Sequence, residues 1–228
     1  MPDDFFSLYQ EINFQHYNLN NYTGSFVYST GQSKNLSFTE ALSRNSVDAP
    51  IYPRTGSNNT ISLEFTPPWS LFNINHINYS TATVNQKYEW IEYYKIKFVS
   101  DWYNKLAGNL VFHSRIMFGW LSYYNQAIGP SPFERFYLGG DGLSGFSLDG
   151  REIIALRGYD NNALTPRDNL GRQVGGTIYD KVTFELRYPL SLNPSATIFA
   201  VSFLEAGNSW LGFDAFDPFY MRRSAGAG

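Results

Sequence analysis

The chain has 228 residues, enough for one large β domain or two small ones. Aromatic residues make up 18% and charged residues only 16%, below the roughly 25% of soluble domains, while the absence of cysteine excludes disulfides, thiolate metal sites and cysteine catalysis together. The net charge of −3 comes without a basic cluster, which excludes nucleic acid as a partner, and no run approaches the roughly 18 apolar residues of a spanning helix.

Met1-Pro2-Asp3-Asp4-Phe5-Phe6 has neither the basic nor the apolar region of a signal peptide, so any export signal is expected elsewhere. From there the chain repeats a period of two, the mark of half-buried strands. Segment 6–18 carries Leu8, Ile12 and Phe14 on one parity. In 34–46, Leu36, Phe38 and Leu42 oppose Ser37, Thr39 and Ser43. In 57–66, Ile61, Leu63 and Phe65 oppose Thr60, Ser62 and Glu64. Segment 88–101 is aromatic and mixed. In 109–124, Leu110, Phe112, Ile116, Phe118 and Trp120 oppose His113, Arg115 and Gly119. Segment 176–189 alternates most cleanly, with Val182, Phe184, Leu186 and Tyr188 against Lys181, Thr183, Glu185 and Arg187. Segment 195–207 is apolar on both parities until Glu205, and Arg223–Gly228 reads as the opening of an eighth strand. Strands of about 10–14 residues exceed the soluble mode of about 5–6 and meet the roughly 9–11 a tilted spanning strand needs.

The predicted connections alternate between short (44–56, 102–108, 190–194) and long (19–33, 67–87, 125–175). Short turns on one rim and long loops on the other are the arrangement of an outer-membrane barrel, with apolar side chains toward lipid and polar ones toward the lumen. Tyr17, Trp69, Trp90, Trp102, Tyr123, Tyr124 and Trp210 are candidates for interfacial girdles. The expected fold is therefore all-β, a transmembrane antiparallel barrel. A soluble sandwich or solenoid is the alternative, disfavoured by charged residues placed between bulky apolar ones along whole strands.

Motifs for chemistry are sparse. Gly140-Asp141-Gly142-Leu143-Ser144-Gly145 fits G-x-G-x-x-G but precedes no helix and sits in no βαβ unit. His16, His76 and His113 lack metal-ligand spacing. No G-x-S-x-G elbow is present. Glu185 and Glu205 read either as a glycosidase-like pair or as two inward acids balanced by a cation. No enzyme activity and no cofactor is expected.

The long segment 130–176 contains Phe136-Tyr137-Leu138-Gly139-Gly140, then Arg157-Gly158-Tyr159, then Gly175-Gly176 before the cleanest strand. Thr183-Phe184-Glu185-Leu186 follows, and then Phe203-Leu204-Glu205-Ala206-Gly207. In this order the chain resembles the BamA superfamily of outer-membrane protein assembly factors. The resemblance implies a barrel of about sixteen strands, of which this chain supplies about seven to eight as a C-terminal part without periplasmic domains. It implies that loop 125–175 folds back into the lumen and that Arg157, followed by the tight turn at Gly158 and the aromatic anchor Tyr159, pairs with Glu185 and Glu205. Gly139, Gly140, Gly175 and Gly176 are the glycines of that loop. Asp141–Ala155 is an insertion relative to many relatives, and Glu205 stands where Asp is common. The implied function is folding and insertion of β-barrel proteins in the outer membrane of a Gram-negative-type cell, with lipids, unfolded barrel clients and accessory assembly lipoproteins as partners. A two-partner secretion or translocation-and-assembly transporter of the same superfamily is the alternative, and a passive porin-like channel the next.

Overall fold

The computed structural model describes residues 4–22, 29–72, 76–141, 151–193 and 195–228. Eight strands form one antiparallel sheet in which each pairs with its neighbour in space: β1 (Phe6–Leu19), β2 (Gly31–Asn45), β3 (Gly56–Phe65), β4 (Tyr94–Lys105), β5 (Val111–Ser122), β8 (Ile178–Asn193), β9 (Ala196–Trp210) and β10 (Arg222–Ala227). β1 and β10 are the two edges, so the sheet is open, as expected for part of a barrel. Between β5 and β8, residues 123–177 leave the sheet and form a parallel pair, β6 (Phe136–Leu138) and β7 (Glu152–Ile154). Two four-residue helices, α1 (Trp69–Phe72) and α2 (Val84–Lys87), lie in the β3–β4 connection; a reciprocal capping box between Thr83 and Gln86 starts α2. No described helix is long and apolar enough to cross a membrane.

The faces are inverted relative to a soluble sheet. Ile12 is 72% exposed and Leu204 59%, whereas Lys95 is 2%, Glu205 4% and Glu185 7% exposed. The apolar parity faces outward and the polar parity inward, the pattern of strands with lipid on one side and a lumen on the other. The lumenal face is not bare. Phe133, Phe136, Leu138, Ile154 and Leu156 of the long loop pack on Ile91, Tyr93, Leu121 and Tyr179 of the wall, and together they form the hydrophobic core. Gly119 opens a slot for this packing: a Cβ there would lie 2.3 Å from the Tyr179 ring and 2.8 Å from that of Phe136.

Some strand boundaries depart from the expectation: β8 runs on to Asn193, through most of the turn expected at 190–194. Segment 88–101 was expected to be strand, but the strand begins at Tyr94 and continues to Lys105, which places Trp102 within it rather than in a turn. Ile91 and Tyr93 owe their apolar character to packing under the loop, not to lipid, so alternation could not mark where pairing begins. Asp48 shapes the β2–β3 turn by accepting from the backbone N–H of Arg54 (2.8 Å) and Thr55 (3.1 Å).

Candidate functional site

The site follows from strand register. Glu185 on β8 lies opposite His113 on β5 and Phe203 on β9, and Thr183 lies opposite Glu205. Paired residues point to the same face, so Glu185 and Glu205 are diagonal neighbours on the lumenal wall. Arg157 descends between them. Its Nη2 lies 2.6 Å from Glu185 Oε1 and 2.8 Å from Glu205 Oε1, and its backbone N–H donates to Glu205 Oε2 at 2.8 Å. Its guanidinium carbon stands 3.8 Å from the centre of the Phe203 ring. A single nitrogen thus bridges both carboxylates, while the guanidinium stands over Phe203.

The two carboxylates are already oriented before Arg157 is counted. Arg187 donates to Glu185 Oε2 through Nε (2.8 Å) and Nη2 (2.5 Å), and His113 Nδ1 lies 3.1 Å from the same oxygen. His113 Nε2 faces Asp101 at 2.7 Å on its other side. Glu205 faces Lys181 at 3.0 Å, and Lys181 also donates to the Ala155 carbonyl, two residues before the arginine, at 2.6 Å. Lys181 and Arg187 share the parity of Glu185, which is the signal that marks them; His113 is likewise on the inward parity of β5. Gly158 has φ +85° with Ser224 alongside, and the Tyr159 hydroxyl donates to the Arg223 carbonyl at 2.9 Å while its ring packs at the edge of the core.

A second anchor, absent from the sequence reading, reverses the signs. Here the wall supplies the cations. Lys95 on β4 reaches Glu152 at 2.8 Å and Glu134 at 3.1 Å, and Lys97 reaches Glu152 at 3.3 Å. The Lys95 ammonium also stands 5.2 Å from the Phe136 ring centre. Glu134 adopts φ +63°, unusual for a non-glycine residue. Burial pushes the Glu134 carboxyl up, against the pull of Lys95. Burial also works against the Glu152 carboxylate, but Lys95 and Lys97 outweigh it and hold its carboxyl below the ordinary value. The loop is thus fastened to β4 by its own acids and to β8 and β9 by its own arginine.

The loop glycines permit this path. Gly139 has φ +127°, outside the range of residues with a side chain, and a Cβ there would meet the Asp160 carbonyl oxygen at 2.5 Å. Gly176 exchanges two backbone hydrogen bonds with Phe136 and lies so close to β9 that a Cβ would be 2.0 Å from Ser209 Oγ. Gly140 pairs with Leu156 across the loop, and Gly175 sits beside Arg135 and Tyr137.

The remaining motifs come to little. Gly142 and Gly145 of the glycine motif, with most of the Asp141–Ala155 insertion, lie outside the described residues. Among the described residues no cluster of His, Asp and Glu suited to a metal is present. Glu185 and Glu205 face Arg157, Arg187 and Lys181 rather than an open cleft.

Residues 4–228 match the Omp85 superfamily domain. Among solved structures, the crystal structure of BamA from Haemophilus ducreyi lacking POTRA domains 1–3 is similar to this chain, with a TM-score of 0.65 at 18% identity. The match covers 99% of this chain and 45% of that one, so the chain spans about half the length of the structure it resembles. No curated protein matches. With a family match over nearly every residue and an inside-out sheet of the corresponding fold, the chain belongs to the Omp85 superfamily.

Proposed function

We propose that this chain is the C-terminal part of an outer-membrane barrel that folds and inserts other β-barrel proteins, and that its long loop holds the wall in the shape this task requires. The observation that carries the reading is Arg157 bridging Glu185 and Glu205 from a loop laid along the lumenal face. The work requires no covalent chemistry. Insertion is an exchange of unpaired strand edges for paired ones, since an open edge templates pairing and closure of the new barrel removes it. What a loop can contribute is rigidity. Two ionic anchors on β4 and on β8–β9 fix the curvature of the wall between them, and a buried core spans the gap. A porin-like channel would keep the lumenal face open, whereas here the described wall is covered by apolar side chains of the loop. Lipids, unfolded barrel clients and accessory lipoproteins are the partners this reading implies.

The test is reconstitution of the full-length protein in liposomes, scored by acquisition of protease resistance by an unfolded barrel client. Arg157→Ala is expected to slow client insertion while leaving the protein itself in the membrane. Unchanged insertion would refute the role of the loop. Export of a soluble passenger with no gain in client insertion would assign the chain instead to the secretion branch of the superfamily.

A further inference from the structure

The β3–β4 connection on the long-loop rim encloses a cavity of about 300 Å3 that the loop anchors do not use. Its walls include Trp69, Tyr79 and Trp90, with Glu89, Glu92 and Lys87 among the polar lining. Trp69 and Trp90 stand with ring centres 4.6 Å apart at 42°, forming an aromatic corner. Glu92 is only 3% exposed, and its carboxylate accepts from Ser70 twice: from the backbone N–H at 2.8 Å and from the hydroxyl at 2.7 Å. Among the described residues no cation lies within ion-pair distance of it. Lys87, the basic residue of the lining, is turned to the Ala127 carbonyl at 2.8 Å. The Tyr79 phenol, which shares this lining, is pushed up by burial and by the charges of Glu92 and Glu89.

A carboxylate with two neutral donors can accept further hydrogen bonds, and among the described residues no counter-charge meets Glu92, so a cation entering the cavity would find an anion without an ionic partner. Aromatic faces beside a carboxylate are the surroundings that favour an organic cation, because the ring quadrupole and the anion attract the same group. The chain already uses this chemistry next door: Lys34 places its ammonium 5.3 Å from the Trp90 ring centre and 3.7 Å from Glu89. We propose that this cavity binds an alkylammonium group, with Glu92 as the anion and Trp69, Tyr79 and Trp90 as the aromatic wall. A primary ammonium would donate to Glu92; a methylated one would rely on the rings.

The experiment uses the full chain in maltoside micelles, which carry no ammonium headgroup. Saturation-transfer NMR would follow n-butylammonium and tetramethylammonium, with sodium chloride at matched ionic strength as the control. Saturable transfer to at least one probe is expected. Glu92→Gln should weaken it by about tenfold or more, the size of a lost charge-assisted contact, in protein whose heat-modifiable band shows an intact barrel. Transfer that does not saturate, that sodium abolishes at equal ionic strength, or that persists unchanged in folded Glu92→Gln would overturn the proposal.

Discussion

Replacing Arg157 tests how the loop is held. Arg157→Ala removes two charge-assisted hydrogen bonds but orphans neither carboxylate, because Glu185 keeps Arg187 and His113 while Glu205 keeps Lys181. The loss therefore falls below the roughly 3–5 kcal/mol of a buried charge left alone. The arginine side chain is 29% exposed, so solvent screens part of the interaction, and about 2 kcal/mol is the expected electrostatic loss. The stack on Phe203 adds about 1 kcal/mol. Arg157→Ala should then weaken loop docking by about 3 kcal/mol, which raises the undocked fraction about a hundredfold. Arg157→Lys should cost about 1 kcal/mol, because one nitrogen makes both ion contacts and an ammonium can replace it, while the planar stack cannot be replaced. Proteolysis of segment 157–175 in membrane-inserted protein, under conditions where cleavage follows the open population, measures the difference directly. If lysine were as damaging as alanine, a two-nitrogen geometry would be required and the bridging description would be wrong. If alanine left cleavage unchanged, the anchor would carry no load.

The β4 anchor predicts an asymmetry: Lys95→Met should cost about 3 kcal/mol of loop docking because it strands Glu134 and leaves Glu152 only its longer contact with Lys97, whereas Lys97→Met, on a side chain 33% exposed with one partner, should cost less than about 1 kcal/mol. The same proteolysis read against pH should show the contribution of the Glu152 contacts with Lys95 and Lys97 intact above the ordinary glutamate value of 4.5 and lost as pH falls through the lowered value of Glu152. The sign follows from the depressed carboxyl, which contributes stability when ionised and none once protonated. Gly176→Ala should destabilise the folded barrel by about 1–3 kcal/mol, because its Cβ meets Ser209 Oγ and the Trp210 carbonyl, while Gly212→Ala, with open space around it, should leave urea and heat resistance unchanged.

The wall was legible in the sequence and the loop was not, for a physical reason. A strand with lipid on one side and a polar lumen on the other writes alternation directly into the chain, and β8 carries it from Lys181 to Tyr188. The alternation fades where a third layer intervenes, as at Ile91 and Tyr93, whose neighbours are loop side chains. Arg157, Glu185 and Glu205 could be connected only through the resemblance, because nothing within a few residues of any of them specifies the others. Lys181 and Arg187 were readable as inward cations by parity. Glu134 and Glu152 were not, since a loop carboxylate becomes buried only through the path of the whole excursion back to β4.

That excursion also imposes an order of events. β5 and β8 lie side by side in the sheet, yet residues 123–177 separate them in the chain. Their pairing is a distant contact, made only after a long segment has been gathered, and contacts of that kind form late. The gathered segment ends up on the concave side, touching β4 at one end and β9 at the other. Pairing of β5 with β8 is therefore expected to come late in folding, together with docking of the loop that separates them.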